Sequence, residues 1–204
     1  MIQPDIIQKI LKDSNYHLDL FKKDEIETLR SKIFTKTTRG KETPFVTCIV
    51  REKDIQLKPE EIVRQLYAAR LIKLYGYPKK RLAFEYTVNF GREKKSSDIV
   101  IFDKDRFDTA YIIVELKKPK LIDGKNQLRS YCNATGAPIG IWTNGDQISH
   151  YHRKDPNYFE PITDIPKAKQ SLKDILSERF TLKNLIIKDE LANKRKSLNN
   201  IILE

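Results

Sequence analysis

Residues 112–117 read Ile-Ile-Val-Glu-Leu-Lys. Three consecutive β-branched apolar residues are a strand buried on both faces, because a strand with one wet face would alternate with polar residues. Such a strand needs a central sheet with helices on either side. It also brings a carboxylate and an ammonium to the end of an apolar run, which asks what balances them.

The flanking sequence supplies the rest of that sheet. Residues 59–78, Pro-Glu-Glu-Ile-Val-Arg-Gln-Leu-Tyr onward, are predicted as a helix. Val63, Tyr67 and Leu71 fall on one side with Ile62, Leu66 and Leu74 beside them. Pro59 suits the first turn, Glu60 and Glu61 suit its positive end, and Gly76 with Pro78 ends it. Strand-like runs follow at 81–91, 97–102 and 110–117, then a helix over 123–136 with Asp123 as its cap. Next come an apolar strand ending in Asn144-Gly145 (137–145) and a polar edge strand (146–153) closing a hairpin. The expected fold is α/β: a mixed sheet flanked by helices. Residues 57–162 form the core of this reading. Residues 1–56 form an N-terminal extension, with short helices at 4–12 and 24–34, a polar turn at 35–43 and one strand at 44–52. Residues 163–204 read as a charged helical segment, or a linker to a domain outside this chain.

In a strand, side chains two apart share a face, so Glu115 and Lys117 point the same way. If 97–102 and 110–117 form a hairpin, the register pairing 102 with 111 sets Asp98 opposite Glu115. Their Cβ atoms would then be about 4.5–5.5 Å apart. Two such carboxylates repel and need a positive partner. Lys117 alone would make this an ion-pair cluster without chemistry. A divalent cation would make it a catalytic site, since Mg²⁺ takes one or two carboxylates and keeps waters for phosphate oxygens. Cation, activated water and lysine are the equipment of phosphodiester hydrolysis, with Lys117 orienting or deprotonating the water. The residues by themselves leave both readings open.

The chain carries 39 Lys and Arg against 28 Asp and Glu, a net charge of +11. That excess suits a polyanion such as DNA, and equally a lysine-rich surface with no ligand. The two cysteines, Cys48 and Cys132, stand alone, with no zinc-ribbon spacing. No apolar run approaches the roughly 20 residues that span a bilayer. The expected setting is the cytoplasm, with no membrane partner. His150 and His152 share a strand face and are read as edge-strand decoration rather than a metal pair.

The segments PEEIVRQ, FEYTVNFG, SDIVIF, IIVELKKPK, QLRSY and APIGIWTNG, spread over 57–155, resemble the N-terminal nuclease domain of type I restriction enzyme R subunits. They are equally similar to the related domain ahead of some DNA methyltransferases, in the PD-(D/E)XK superfamily. The resemblance implies a restriction-endonuclease-like fold and Mg²⁺-dependent endonuclease activity on DNA, with Mn²⁺ as a possible substitute. It places the catalytic residues at Asp98, Glu115 and Lys117, and the metal ligands at Asp98, Glu115 and the carbonyl of Leu116. Ser97 stands where the superfamily has its proline. A Gln-x-x-x-Tyr element falls on Gln127 and Tyr131, one helix face. Glu61, or its rival Glu85, is the implied accessory acid. The resemblance does not separate a restriction role from a repair or resolvase-type one.

Candidate phosphate contacts are Lys79, Lys80 and Arg81; Arg92, Lys94 and Lys95; and Lys118 and Lys120. All are expected at element ends near the site, giving affinity without sequence readout. The chain shows no GxxxxGK[ST] loop and no Asn-Pro-Pro-Tyr motif, so a helicase or translocase, methyltransferase or specificity module would come from a longer natural chain or from partners in a complex.

Overall fold

The apolar runs do pair into one sheet. A computed structural model describes residues 5–14, 16–117 and 124–170. Its N-terminal layer comprises α1 (Ile6–Leu11), α2 (Lys23–Arg30), β1 (Ile33–Thr38), β2 (Lys41–Thr47) and β3 (Asp54–Gln56). Then come α3 (Pro59–Lys73), a 3₁₀ turn (Lys79–Arg81), β4 (Leu82–Phe90), β5 (Glu93–Phe102) and β6 (Ala110–Leu116). The remaining elements are α4 (Gly124–Thr135), β7 (Ile139–Thr143), β8 (Ile148–Asp155) and β9 (Tyr158–Ile162).

Strands β4 to β9 lie in chain order in a six-stranded sheet. Every neighbouring pair is antiparallel except β6 and β7, whose parallel pairing requires the crossover that contains α4. The fold class is therefore the expected mixed α/β sheet flanked by helices. Alternation along the strands sorts side chains to the two faces. Ile99, Ile101, Ile112, Val114 and Leu116 join Ile62, Leu66 and Leu71 of α3 in one core. Val100 and Ile113 join Leu128, Tyr131 and Cys132 of α4 in the other. Glu115 shares a face with Ile113, and Asp98 with Val100, so both carboxylates extend the α4 face at the end of the sheet.

The expected hairpin register holds where it matters. Ile99 faces Val114, Val100 faces Ile113 and Ile101 faces Ile112. At the far end Phe102 faces Ala110 rather than Tyr111, because a bulge takes up one residue after Ile101. Helix α3 is buried nearly all round, including Glu61, Arg64 and Gln65, because the N-terminal layer covers the side away from the sheet. Gln65 Oε1 accepts from Ile49 N at 3.0 Å, and Arg70 pairs with Glu25 at 2.6 Å. Leu74, expected in the apolar stripe, is exposed because the helix stops at Lys73.

Three expectations change. Residues 35–43 are not a turn but the arms of the β1–β2 hairpin, whose two-residue turn is Arg39-Gly40, both at positive φ. The strand expected over 44–52 is β2, and it ends at Thr47. The polar strand β8 is not an edge, since β9 pairs along its other side. Sequence reading missed β9 because Pro161 breaks its pattern, and an edge strand tolerates proline. The Asp123 cap, Lys118, Lys120 and residues 171–204 lie outside the described residues. No helix among the described residues is long and apolar enough to cross a membrane.

Candidate active site

Asp98, Glu115 and Lys117 meet at the end of the sheet. Asp98 Oδ2 accepts from the Leu116 backbone N–H at 2.7 Å, which ties the β5 carboxylate to the strand end that carries Glu115. Lys117 Nζ lies 2.6 Å from Glu115 Oε1. The lysine backbone is held by its own N–H, which donates to Thr143 O at 3.0 Å. Glu115 itself is 1% exposed, and its Oε2 has no hydrogen-bond partner among the described residues.

Burial and the Asp98 carboxylate push the Glu115 carboxyl up to about 8, against the pull of Lys117. Burial draws the Lys117 ammonium down, but its hydrogen bond to Glu115 and the charges of Glu115 and Asp98 outweigh this and raise it. A buried carboxyl with a vacant oxygen and a raised pKa is a place where added positive charge is favourable.

The side chains around this trio are not all the expected ones. Arg64, which sequence reading did not single out, reaches from α3 to Asp98 Oδ1 at 2.9 Å. The same guanidinium binds Glu61 at 2.5 Å and Glu60 at 2.7 Å. Its signal was the i, i+3 and i, i+4 spacing to two glutamates, the spacing of helical ion pairs. Glu61 is therefore engaged at both oxygens, by Arg64 and by Gln65 Nε2 at 2.7 Å. Glu85 sits half-exposed on an irregular residue of β4 at positive φ, tied to Arg51 at 2.6 Å. Neither expected accessory acid is free, and Glu60 is the helical acid whose charge reaches Glu115.

Gln127 and Tyr131 do point back toward the trio. Gln127 Nε2 donates to Tyr131 Oη at 2.7 Å, and that hydroxyl donates to Ser96 O at 3.0 Å, two residues before Asp98. Beside them a cleft of about 580 Å³ is lined by Phe90, Lys95, Asn126 and Ser130. Arg92 and Lys94 are exposed on the same β4–β5 hairpin, and Lys95 lies over the Phe90 ring. Another cavity, of about 560 Å³, lies between α2 and α3 near Cys48 and holds none of the trio.

The basic group at 79–81 is elsewhere. Leu82 pairs with Ile101, so Lys79, Lys80 and Arg81 precede the opposite end of β4 from the site. Arg81 is buried, donates from Nε to Phe102 O at 2.7 Å and stacks on Tyr77, which makes it a structural arginine. Lys79 faces Glu52 at 3.4 Å, and Lys80 lies over Phe107.

Gly124 opens α4 against the lysine. A methyl group there would stand 2.5 Å from Lys117 Cγ and would also collide with Trp142. His150 and His152 lie on the interior strand β8, and among the described residues no group of three or more His, Cys, Asp or Glu could hold a metal ion.

No curated protein matches the chain. Among solved structures, a candidate nuclease of the DUF820 group from Anabaena variabilis ATCC 29413 overlaps 70% of this chain and 89% of its own, at 15% identity and a TM-score of 0.40. The type IIG restriction endonuclease BpuSI overlaps 64% of this chain at 16% identity and the same TM-score of 0.40. The overlap spans 16% of the BpuSI chain. These partial overlaps add nothing to the assignment. The family description "Type I restriction enzyme R protein N terminus (HSDR_N)" matches residues 59–166, which run from the start of α3 through β9 and are more than half of the 204 residues. The chain belongs to the family of type I restriction enzyme R protein N termini.

Proposed function

We propose that this chain is an endonuclease module that hydrolyses DNA phosphodiesters with a divalent cation, Mg²⁺ by preference and Mn²⁺ as a substitute. The observation that carries the reading is Glu115: a buried carboxylate with an unpartnered oxygen, beside Asp98 and within 2.6 Å of a lysine. The donor set fits a hard cation. Asp98, Glu115 and the Leu116 carbonyl would hold it, leaving further positions for waters and phosphate oxygens, as Mg²⁺ prefers. When bound, the cation would neutralise charge on the phosphate oxygens and acidify a water.

The chain's own residues do the rest. Lys117 aligns the water for in-line attack and faces the charge that develops on the phosphate. Asp98 is fixed by the Leu116 N–H, so one carboxylate keeps its place whether or not a cation is present. Gln127 and Tyr131 brace the β5 end through Ser96. Arg92, Lys94 and Lys95 contact phosphates along the adjoining hairpin, as would Lys118 and Lys120 beyond Lys117.

Incubation of supercoiled plasmid with the chain tests this reading. Open-circular DNA is expected with Mg²⁺ and none in EDTA; equal nicking in EDTA contradicts it. A second reading is a DNA-binding module that cuts only with a motor, methyltransferase or specificity partner. The hold of Arg64 on Asp98 favours it, since that contact must loosen before Asp98 can serve a cation. DNA binding without nicking under either condition would select it.

Gly124 gives a further prediction. Gly124→Ala should push the Lys117 stem out of line and lower the nicking rate by about 10-fold, because small misplacements of reacting groups are costly. Single-turnover nicking beside a melting curve checks it; an unchanged rate removes Gly124 from the arrangement.

A further inference from the structure

Tyr16 lies in the N-terminal layer, before the family-matched residues. Tyr16 is 5% exposed, and among the described residues its hydroxyl has no hydrogen-bond partner. An unpartnered buried hydroxyl costs roughly 1–3 kcal/mol, so it calls for a reason.

The segment that carries Tyr16 is fastened at the active end of the sheet. Leu20 N–H donates to Gly145 O at 3.2 Å. A methyl on Gly145 would lie 2.6 Å from His17 O and 3.1 Å from Val63 Cγ2, so residues 17–20, the β7–β8 turn and α3 meet there. Strand β7 enters that turn directly after Thr143, the partner of Leu116. The phenol is within reach of the charges of Glu60, Asp98 and Arg64; burial first, then the two carboxylates, raises its pKa, so it remains a donor.

Arg64 Nη2 bridges Glu60 and Asp98 on this side of the site. A cation held by Asp98 and Glu115 would compete with that guanidinium for Asp98. A carboxylate oxygen released by Arg64 needs another donor, and the buried Tyr16 hydroxyl lies within range of its charge.

We infer that Tyr16 is a positioning residue of the cleavage site, its hydroxyl the donor that holds the Glu60–Asp98 carboxylates in their cation-loaded arrangement. The inference rests on the nuclease reading. It means that the N-terminal layer completes the site rather than merely covering α3.

Tyr16→Phe removes the hydroxyl and keeps the ring. Without cation, the variant loses no hydrogen bond and sheds a buried hydroxyl that has no partner, so its melting temperature in EDTA should match or exceed that of wild type. With cation, the Mg²⁺ concentration for half-maximal nicking should rise about 10-fold, a usual size for coupling between sites. The rise in melting temperature on adding Mg²⁺ should shrink in parallel. The same half-saturation and the same Mg²⁺-induced rise in both proteins would overturn the inference, as would a loss of stability in EDTA with cation dependence unchanged. A wild type that neither nicks nor gains stability with Mg²⁺ sinks the nuclease reading, and the Tyr16 role with it.

Discussion

Lys117→Met is expected to abolish nicking while leaving the fold intact. The substitution keeps the apolar stem that packs beside Gly124 and removes only the ammonium. Loss of a group that positions or activates the attacking water lowers rates by about 10²–10⁴-fold. Stability should change little, since the ammonium's partner Glu115 has a raised pKa and can take up a proton instead. Nicking within a few-fold of wild type, in protein whose melting curve is unaltered, would remove Lys117 from the mechanism.

Glu115→Gln should act in opposite directions on activity and on stability. An ordinary glutamate titrates near 4.5, whereas burial and Asp98 push Glu115 up to about 8 in the folded chain. Between those values the unfolded chain has lost this proton and the folded chain keeps it. Stability therefore falls as pH rises from about 4.5 to about 8, then levels. Glutamine imitates the neutral acid and escapes that loss. In EDTA the variant should gain on wild type from pH 5 upward. At pH 8.5 the gain should be on the order of 2 kcal/mol, less than the full linkage value because Lys117 loses its partner. Urea unfolding at pH 5, 7 and 8.5 reads it. A wild type whose stability does not fall over this range relative to the variant would show that Glu115 is not under this strain. A site kept at the expense of stability is what catalytic use of a buried carboxylate looks like.

The parts of this arrangement that follow from local pattern were legible. The run Ile112–Val114 predicts a two-face-buried strand, and alternation with Ile99–Ile101 sets the register that carries Asp98 toward Glu115. The bulge after Ile101 was not legible, because Phe102 and Ala110 both pack on the α4-side core and alternation alone does not mark the extra residue. Arg81 looked like a surface cation since its burial depends on the Tyr77 ring and the Phe102 carbonyl, which only the folded chain brings together. Arg64 looked like the polar side of α3. Its burial comes from a second layer, the N-terminal elements, whose Thr-rich hairpin reads as a loop. Tyr16 carries no signal at all, because nothing near it in sequence belongs to the site.

The most direct measurement is nicking of supercoiled plasmid in Mg²⁺ by wild type and Glu115→Gln side by side, both shown folded by their melting curves. Nicking by wild type and none by the variant is the predicted result. Equal nicking by both would mean that the Asp98–Glu115–Lys117 end of the sheet is not where DNA is cut.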